Sequence, residues 1–486
     1  MPPRPQPISP GWQQLLPLLS VLLVAAIVLL YRLGDPALKN WDEAIYAEVA
    51  KEMLQTGDWL ALHWQQSVWF EKPPLTIWLI AIFFRAFEVN EFWARAVSAL
   101  SGIGVVGVTY ILGRSIRGQA CGLVAALILL TSFQFVQVAR LVTTDALLLL
   151  LIYLAIYGYL RVRNGASGWW YCVSGCCALG FMTKSFAVIV APAAIGLALL
   201  LDRQLIDAVR SKHFWLSILF AVAIVIPWHA AMYQTYGTAF VNEYFHYHVW
   251  SRVVTPLEGH GEAYWWYLRE IWVKFHPWWS IAPLALAFHA LKIKNGRFSW
   301  VLIALIATVL VFYTAAQTKM SSYILPVYPA LALLISHLLT SLYFQWRSVL
   351  ARMAIVLLCG AFVWIAIGKI KSYYVKIEEW DVGVKETALL ASTEHVSPTL
   401  ILFSSSAQFD KQSALFYSNR RVVQATEIST TYSSRYQQYK PLAEVTTAEP
   451  TEIILQKDEI GPLLDRYTID IAGESHGFVY ATIHKK

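Results

Sequence analysis

The feature that most constrains this chain is a repeated alternation of long apolar runs with connections too short to fold by themselves. Eleven such runs can be read: Leu15–Leu33, Ala96–Leu112, Ala120–Val138, Ala146–Tyr159, Trp169–Met182, Phe186–Leu201, Phe214–Tyr233, Trp278–Leu291, Trp300–Ala316, Tyr323–Leu342 and Leu350–Ile370. A hydrocarbon core of about 30 Å is crossed by roughly 20 apolar residues in a helix. The expected architecture is therefore an α-helical polytopic membrane protein with about eleven transmembrane helices. Composition agrees, with 57% hydrophobic and only 14% charged residues. The 21 Trp and 25 Tyr suit aromatic belts at the two interfaces.

Direction follows from the basic residues. Arg114–Arg117, Arg161–Arg163, Arg203–Lys212, Lys292–Arg297 and Arg347–Arg352 mark the cytoplasmic side, and all five agree if the eleven spans alternate. The net charge of +7 thus belongs to loops between spans and gives no nucleic-acid signal. Residues 1–13 lack the pattern of a cleaved signal, so the first run reads as an uncleaved span with a cytoplasmic N-terminus. Pro73–Phe87 is short for a crossing and follows a Pro-Pro step. Counting it would reverse every later basic loop, so it is read as an interfacial or re-entrant helix on the outer side.

The outer face then receives residues 34–95, 140–145, 234–276, 317–323 and everything beyond about 371. Two domains are expected: a membrane domain at 1–370, whose outer loop 34–95 carries interfacial helices, and an extracytoplasmic α/β domain at 371–486. The latter shows strand-like runs at Thr399–Phe403, Arg421–Gln424, Glu452–Gln456 and Phe478–Ile483, with a helical period around Asp410–Tyr417. All five cysteines lie in apolar runs, so neither a disulfide framework nor a thiolate metal cluster is indicated.

Chemistry concentrates on the outer segments. Asn40 can cap a helix from Trp41 to about Leu54, with Glu43 completing a capping-box-like pair and Ile45, Val49 and Met53 forming an apolar stripe. Asp42 and Tyr46, one turn apart, would share a face of a helix resting on the membrane. Asp42 reads either as a first-turn carboxylate favoured by the helix dipole or as a functional group. Asp145, at the lip of a span, is costly there unless paired or functional, and Arg140 offers it a partner. Both carboxylates face the same compartment and could converge as a general base, cation ligands, or both. Lys72 in Glu71-Lys72-Pro73-Pro74 suits a lipid phosphate, although the pair could equally be an ordinary helix start. The same choice, phosphate contact or headgroup anchoring, applies to Arg252, Lys319 and Tyr323. His246, His248 and His260, with Glu243, Glu258 and Glu262, could bind a divalent metal, though their spacing matches no tight zinc pattern. Lys184 reads as a substrate contact or a snorkelling cation; spacing leaves both open.

Taken in order, Asp42-Glu43-Ala44 with Tyr46, Phe70-Glu71-Lys72-Pro73-Pro74, Arg140 with Asp145, Thr183-Lys184, Gly259-His260, and Lys319 with Tyr323-Ile324-Leu325-Pro326 resemble the aminoarabinose transferase and protein mannosyltransferase superfamily of GT-C fold glycosyltransferases. The resemblance runs from residue 34 to about 330. It implies a multi-pass plasma (inner) membrane enzyme that moves a sugar from a polyprenyl-phosphate donor to a lipid A, glycolipid, glycan or protein acceptor on the extracytoplasmic side. By the same resemblance Asp42 and Asp145 are the catalytic acids. Tyr46, Lys72, Arg140, Arg252, Lys319 and Tyr323 lie near the donor, and Glu71 with His260 is a site for a divalent metal. Ile45 stands where the lipid A aminoarabinose transferases usually have Arg, Trp69 where they have Tyr, and Ser185 where they have Gly. These departures bear on the sugar rather than on the reaction class.

Attack by a hydroxyl on an anomeric carbon needs a base for its proton and positive charge for the departing phosphate, and the outer segments hold both. Inversion without a nucleotide is expected, since no Gly-rich phosphate loop at a strand-helix junction is present. The rivals are a transporter or lipid flippase, for which mid-span charges and repeated halves are expected, and a non-catalytic membrane scaffold.

Overall fold

The computed structural model describes residues 11–257, 259–292, 297–375, 379–393, 399–405, 412–426, 433–434, 437–438, 440–446 and 450–486. The chain divides into two compact units: residues 1–31, 70–76 and 95–372, and residues 32–69, 77–94 and 373–486. Residues 32–69 and 77–94 thus fall in the same unit as 373–486.

The first unit is helical. Among the described residues, six helices are long and apolar enough to cross a membrane: Glu91–Arg117, Asp145–Arg163, Ser167–Leu201, Lys212–Val254, Ser321–Gln345 and Val349–Ser372. Gln119–Leu130 and Phe133–Ala139 make a seventh if their 73° bend is taken as one broken span. The chain is thus a multi-pass membrane protein, but a count of about eleven is not reached on length and composition. Two reasons are visible. The runs at 169–182 and 186–201 fall in one stretch interrupted at Ser185 (φ 52°). Those at Leu15–Leu30, Trp278–Leu291 and Trp300–Ala315 form shorter apolar helices. The helix Leu75–Ala86 has 12 residues, which at 1.5 Å each spans about 18 Å, well short of a crossing.

Packing in this unit follows apolarity. Val327–Gln345 is hydrophobic on all sides and almost wholly enclosed. Val349–Val375 instead leaves Leu350, Leu357 and Trp364 at 79, 68 and 77% exposure, a heptad stripe suited to lipid. Gly113 and Gly122 let two helices touch: a Cβ on Gly122 would meet the Tyr110 carbonyl oxygen at 2.6 Å.

In the second unit the helix Asp42–Thr56 is buried from Glu43 to Met53. This corrects the expectation of an amphipathic helix resting on the membrane: its polar residues are paired inside the unit. Lys51 Nζ lies 3.1 Å from Glu48 and donates to the Phe416 carbonyl at 2.8 Å. The Glu52 carboxylate accepts the Gln65 and Gln66 amides at 2.7 and 3.2 Å. Those two residues have φ of 53° and 63° in the tight turn joining His63–Trp64 to Ser67–Val68, so Glu52 holds a left-handed turn built without glycine. Asn40 is not the cap either. Trp41 occupies that position with φ 71°, Asn40 Oδ1 accepts the Ser413 amide at 3.0 Å, and Glu43 reaches back to the Lys39 amide at 2.8 Å.

The C-terminal residues form a six-stranded sheet whose strands lie side by side in the order Lys440–Pro441, Arg421–Thr426, Thr399–Phe403, Thr451–Gln456, Phe478–Lys485 and Tyr467–Ser475. The first four are parallel and the last two antiparallel. Thr399–Phe403 is buried on both faces and accordingly reads as an unbroken apolar run. Ile401, Phe403, Ile453, Leu455, Val479 and Ala481 are central to the core. All four expected strands and a helix at Ser413–Ser418 are present; part of the expected 410–417 helix lies outside the described residues.

Candidate functional site

Two constellations occur within the first unit. The first is a cavity lined by Asp145, Leu148, Leu149, Lys184, Ala187, Tyr313, Ser322, Tyr323, Leu325 and Pro326. Asp145 opens the helix Asp145–Arg163, where the dipole favours a carboxylate. Lys184 closes the helix Trp170–Lys184, where it favours a cation, and the break at Ser185 ends the helix there. Lys184 Nζ lies 2.7 Å from Asp145 Oδ1, and both side chains are nearly buried. The same ammonium stands 5.1 Å from the Tyr323 ring centroid, a cation-π distance, and Tyr323 packs on Tyr313 at 4.7 Å. Among the described residues no hydrogen bond engages Asp145 Oδ2, so that oxygen remains available to a proton.

Arg140 has a different position from that expected of a partner for Asp145. It is buried, and its Nη1 donates to the Leu29 carbonyl at 2.8 Å, satisfying an orphan group at the end of the first helix. The pairing cation is Lys184, the residue for which spacing left the role open.

The second constellation surrounds Glu71. Burial alone would push its carboxyl pKa up, but Lys72, His248 and Arg252 outweigh that effect and hold it down to about 2. Lys72 Nζ donates directly to Glu71 Oε1. His248 lies in the stretch Val241–Ser251, which hydrogen-bonds in the wide i to i+5 pattern, and Arg252 follows it. Such widened turns cluster at functional sites. Arg252 is tied to the Lys319 segment through the backbone: the Gln317 amide donates to Val253 O at 3.0 Å, Thr318 to Arg252 O at 3.1 Å, and Lys319 to His260 O at 3.0 Å. Lys319 is buried, donates to the Ala316 carbonyl at 2.9 Å and stands 5.7 Å from the Tyr264 ring centroid. Lys72 and Arg252 are therefore grouped about one carboxylate, with Lys319 on a strand-like connection to the same segment.

The histidine acting on Glu71 is thus His248, whereas His260 contributes a carbonyl to the Lys319 connection. Among the described residues no group of three or more His, Cys, Asp and Glu is gathered, and Glu258 lies outside them. Glu71 already has Lys72, His248 and Arg252 about it. Among the described residues these donors fall short of a complete coordination set.

In the second unit Asp42 is exposed at the first position of its helix. Tyr46, one turn on, is 1% exposed and packs edge-on against Trp69 with ring centroids 5.8 Å apart.

Comparison with known proteins converges on one fold. Residues 71–230 match the family described as dolichyl-phosphate-mannose-protein mannosyltransferase. The chain is 30% identical over 344 residues, 68% of its length and 62% of the relative's, to an undecaprenyl phosphate-alpha-4-amino-4-deoxy-L-arabinose arabinosyl transferase of Pseudomonas savastanoi pv. phaseolicola. Against the protein of that name in Shewanella sediminis it is 26% identical over 377 residues, covering 73% of this chain and 66% of the relative. The chain spans about three fifths of the length of the first such curated relatives. In structure it is similar to ArnT from Cupriavidus metallidurans bound to undecaprenyl phosphate, with a TM-score of 0.76, 19% identity and coverage of 97% of this chain and 98% of that one. An Archaeoglobus fulgidus oligosaccharyltransferase aligns with a TM-score of 0.58 at 11% identity, over 85% of this chain and 65% of that one. The architecture is therefore that of a membrane-embedded GT-C protein. More narrowly, the chain carries the GT-C fold of the aminoarabinose transferase and protein mannosyltransferase superfamily.

Proposed function

We propose that the chain is an integral membrane glycosyltransferase that moves a sugar from a polyprenyl-phosphate donor to a hydroxyl or phosphate of lipid A, another glycolipid, a glycan or a protein on the extracytoplasmic side. The observation that carries this reading is Asp145, held by Lys184 at one oxygen and open at the other, in a cavity walled by Tyr323. With a hydroxyl acceptor, its oxygen attacks the anomeric carbon and the new C–O bond forms as the bond from that carbon to the phosphate oxygen breaks. The proton passes to a carboxylate, and the electron pair leaves with the lipid phosphate. Asp145 is the base on the first unit; Asp42 is assigned a catalytic role by the resemblance in its motif. Lys72, Arg252 and Lys319 are assigned to the phosphate, whose growing negative charge they oppose. Single displacement with these groups inverts the anomeric centre. The relatives' names and the neighbour bound to undecaprenyl phosphate support a polyprenyl-phosphate donor.

The test is mass spectrometry of lipids and glycans from cells with and without the protein. One pentose, aminopentose or hexose unit should be missing from a single class of molecule when the protein is absent. Identical profiles, or accumulation of a lipid-linked sugar on the wrong leaflet, would point instead to the scaffold or the flippase.

A further inference from the structure

Beside the Asp145 cavity lies a half-buried hydroxyl whose bonding is unusually complete. The Ser321 hydroxyl donates its single proton to Glu270 Oε2 and accepts from Lys274 Nζ and from Gln134 Nε2, the latter at 2.8 Å. That exhausts a hydroxyl's capacity of one donor and two lone pairs. Gln134 also donates to the Ser321 carbonyl at 2.8 Å and accepts the Tyr328 hydroxyl at 2.5 Å. Lys274 closes the circuit on Glu270 at 2.8 Å, one helical turn away. Two helices, Phe133–Ala139 and Trp266–Lys274, thus meet at one serine, and that serine begins the short 3-10 turn Ser321–Ile324, which carries Ser322 and Tyr323 into the cavity wall.

A latch that merely fastened helices would need no charge. A partly exposed ion pair such as Glu270–Lys274 contributes little net stability, because solvent screens the attraction. What a fully satisfied polar network provides is a single geometry. Here that geometry is the seat of Tyr323, whose ring stands under Lys184, which in turn fixes Asp145.

We propose that Glu270 is a positioning residue for the transfer reaction: through Ser321 it sets the turn Ser321–Ile324, so that Tyr323 stays under Lys184 and Lys184 on Asp145. The inference rests on the reading of Asp145 and Lys184 as part of the reacting site. The residue touches neither the cavity nor the cations around Glu71, so its effect falls on turnover rather than on capture of the lipid phosphate.

The experiment uses the full chain in proteoliposomes, with donor lipid and acceptor extracted from the cells in which the protein produces its mass change. Initial rates against donor concentration give kcat and KM. Glu270→Ala should lower kcat about tenfold or more with KM within about threefold, as expected when reacting groups are misplaced by less than an ångström. Ser321→Ala should do the same, and the double variant should be no worse than either. Glu270→Gln, which can still accept the serine proton, should retain most of the rate. Thermal stabilisation by undecaprenyl phosphate should match the unsubstituted protein in all four. Turnover within about twofold for Glu270→Ala, multiplicative losses in the double variant, or rate losses that follow the melting temperature each overturn the proposal. Should Glu270→Ala not fold, Ser321→Ala and Glu270→Gln decide it. Asp145→Asn runs in parallel. If it transfers normally, the assignment of the site itself fails; if it is inactive while Glu270→Ala is unaffected, only the positioning role falls.

Discussion

Lys184 Nζ and Asp145 Oδ1 are 2.7 Å apart, each at the end of its own helix, the cation at a C-terminus and the carboxylate at an N-terminus. Both helix dipoles favour the charges they carry, so the pair is positioned before any substrate arrives.

Asp145→Asn removes the proton acceptor while keeping the shape. Loss of general-base catalysis lowers rates by about 10²- to 10⁴-fold, and that fall is expected in product formation by mass spectrometry, with normal membrane insertion. Lys184→Met, which frees Asp145 to move, should lose less.

Asp42→Asn is expected to abolish detectable transfer while leaving insertion and the burial of its helix intact, because Asp42 itself is exposed. Wild-type product levels with this variant would remove Asp42 from the mechanism.

Lys72, His248 and Arg252 around Glu71 set a pH dependence. A carboxyl held at about 2, against an ordinary 4.5, contributes stability that is fully present above pH 4.5 and is lost as the pH falls toward 2. Glu71→Gln should therefore flatten the acid limb of stability in that window. Thermal unfolding at stepped pH reads the effect.

Gly122→Ala forces a methyl to within 2.6 Å of the Tyr110 carbonyl oxygen. A loss of about 1–3 kcal/mol is expected, the usual penalty of overpacking. Gly360→Ala, in open space on a helix, should be neutral or stabilising. Thermal unfolding in one detergent compares the two signs directly.

In the C-terminal sheet Glu452 is fully buried, pairs with Arg420 and accepts the Tyr480 hydroxyl. Glu452→Gln breaks the buried pair with Arg420, and breaking such a pair typically costs about 3–5 kcal/mol. The double replacement Arg420→Met with Glu452→Leu should cost much less, as measured by limited proteolysis of the full chain.

Much of this was legible from residue order. Apolar runs located the helices, and the strand-like runs at 399–403, 421–424, 452–456 and 478–483 became strands because buried parallel strands are continuous in apolarity. The strand Tyr467–Ser475 was missed although Tyr467, Ile469 and Ile471 alternate with Thr468 and Asp470; its second half, Ala472-Gly473-Glu474-Ser475, is polar and Gly-containing at an exposed edge. Apolar runs and helix lengths give different span counts where helices break at Ser185 or bend at Thr131–Ser132, since hydropathy averages over such interruptions. Asn40 and Glu43 gave a plausible cap by local rules, but Ser413, far away in sequence, took the Asn40 side chain. Lys184 is the counterpart in the site. Its partner is 39 residues distant, and only the fold could choose it over the nearby Arg140.

The stripe of Leu350, Leu357 and Trp364 gives the helix that bears it an unusual freedom. Its outer flank meets fluid acyl chains rather than interlocking neighbours, so one greasy side chain there can replace another with little penalty, while the enclosed helix Val327–Gln345 has no such latitude. Across a library of random apolar exchanges, tolerance should therefore change abruptly between two helices adjacent in the chain.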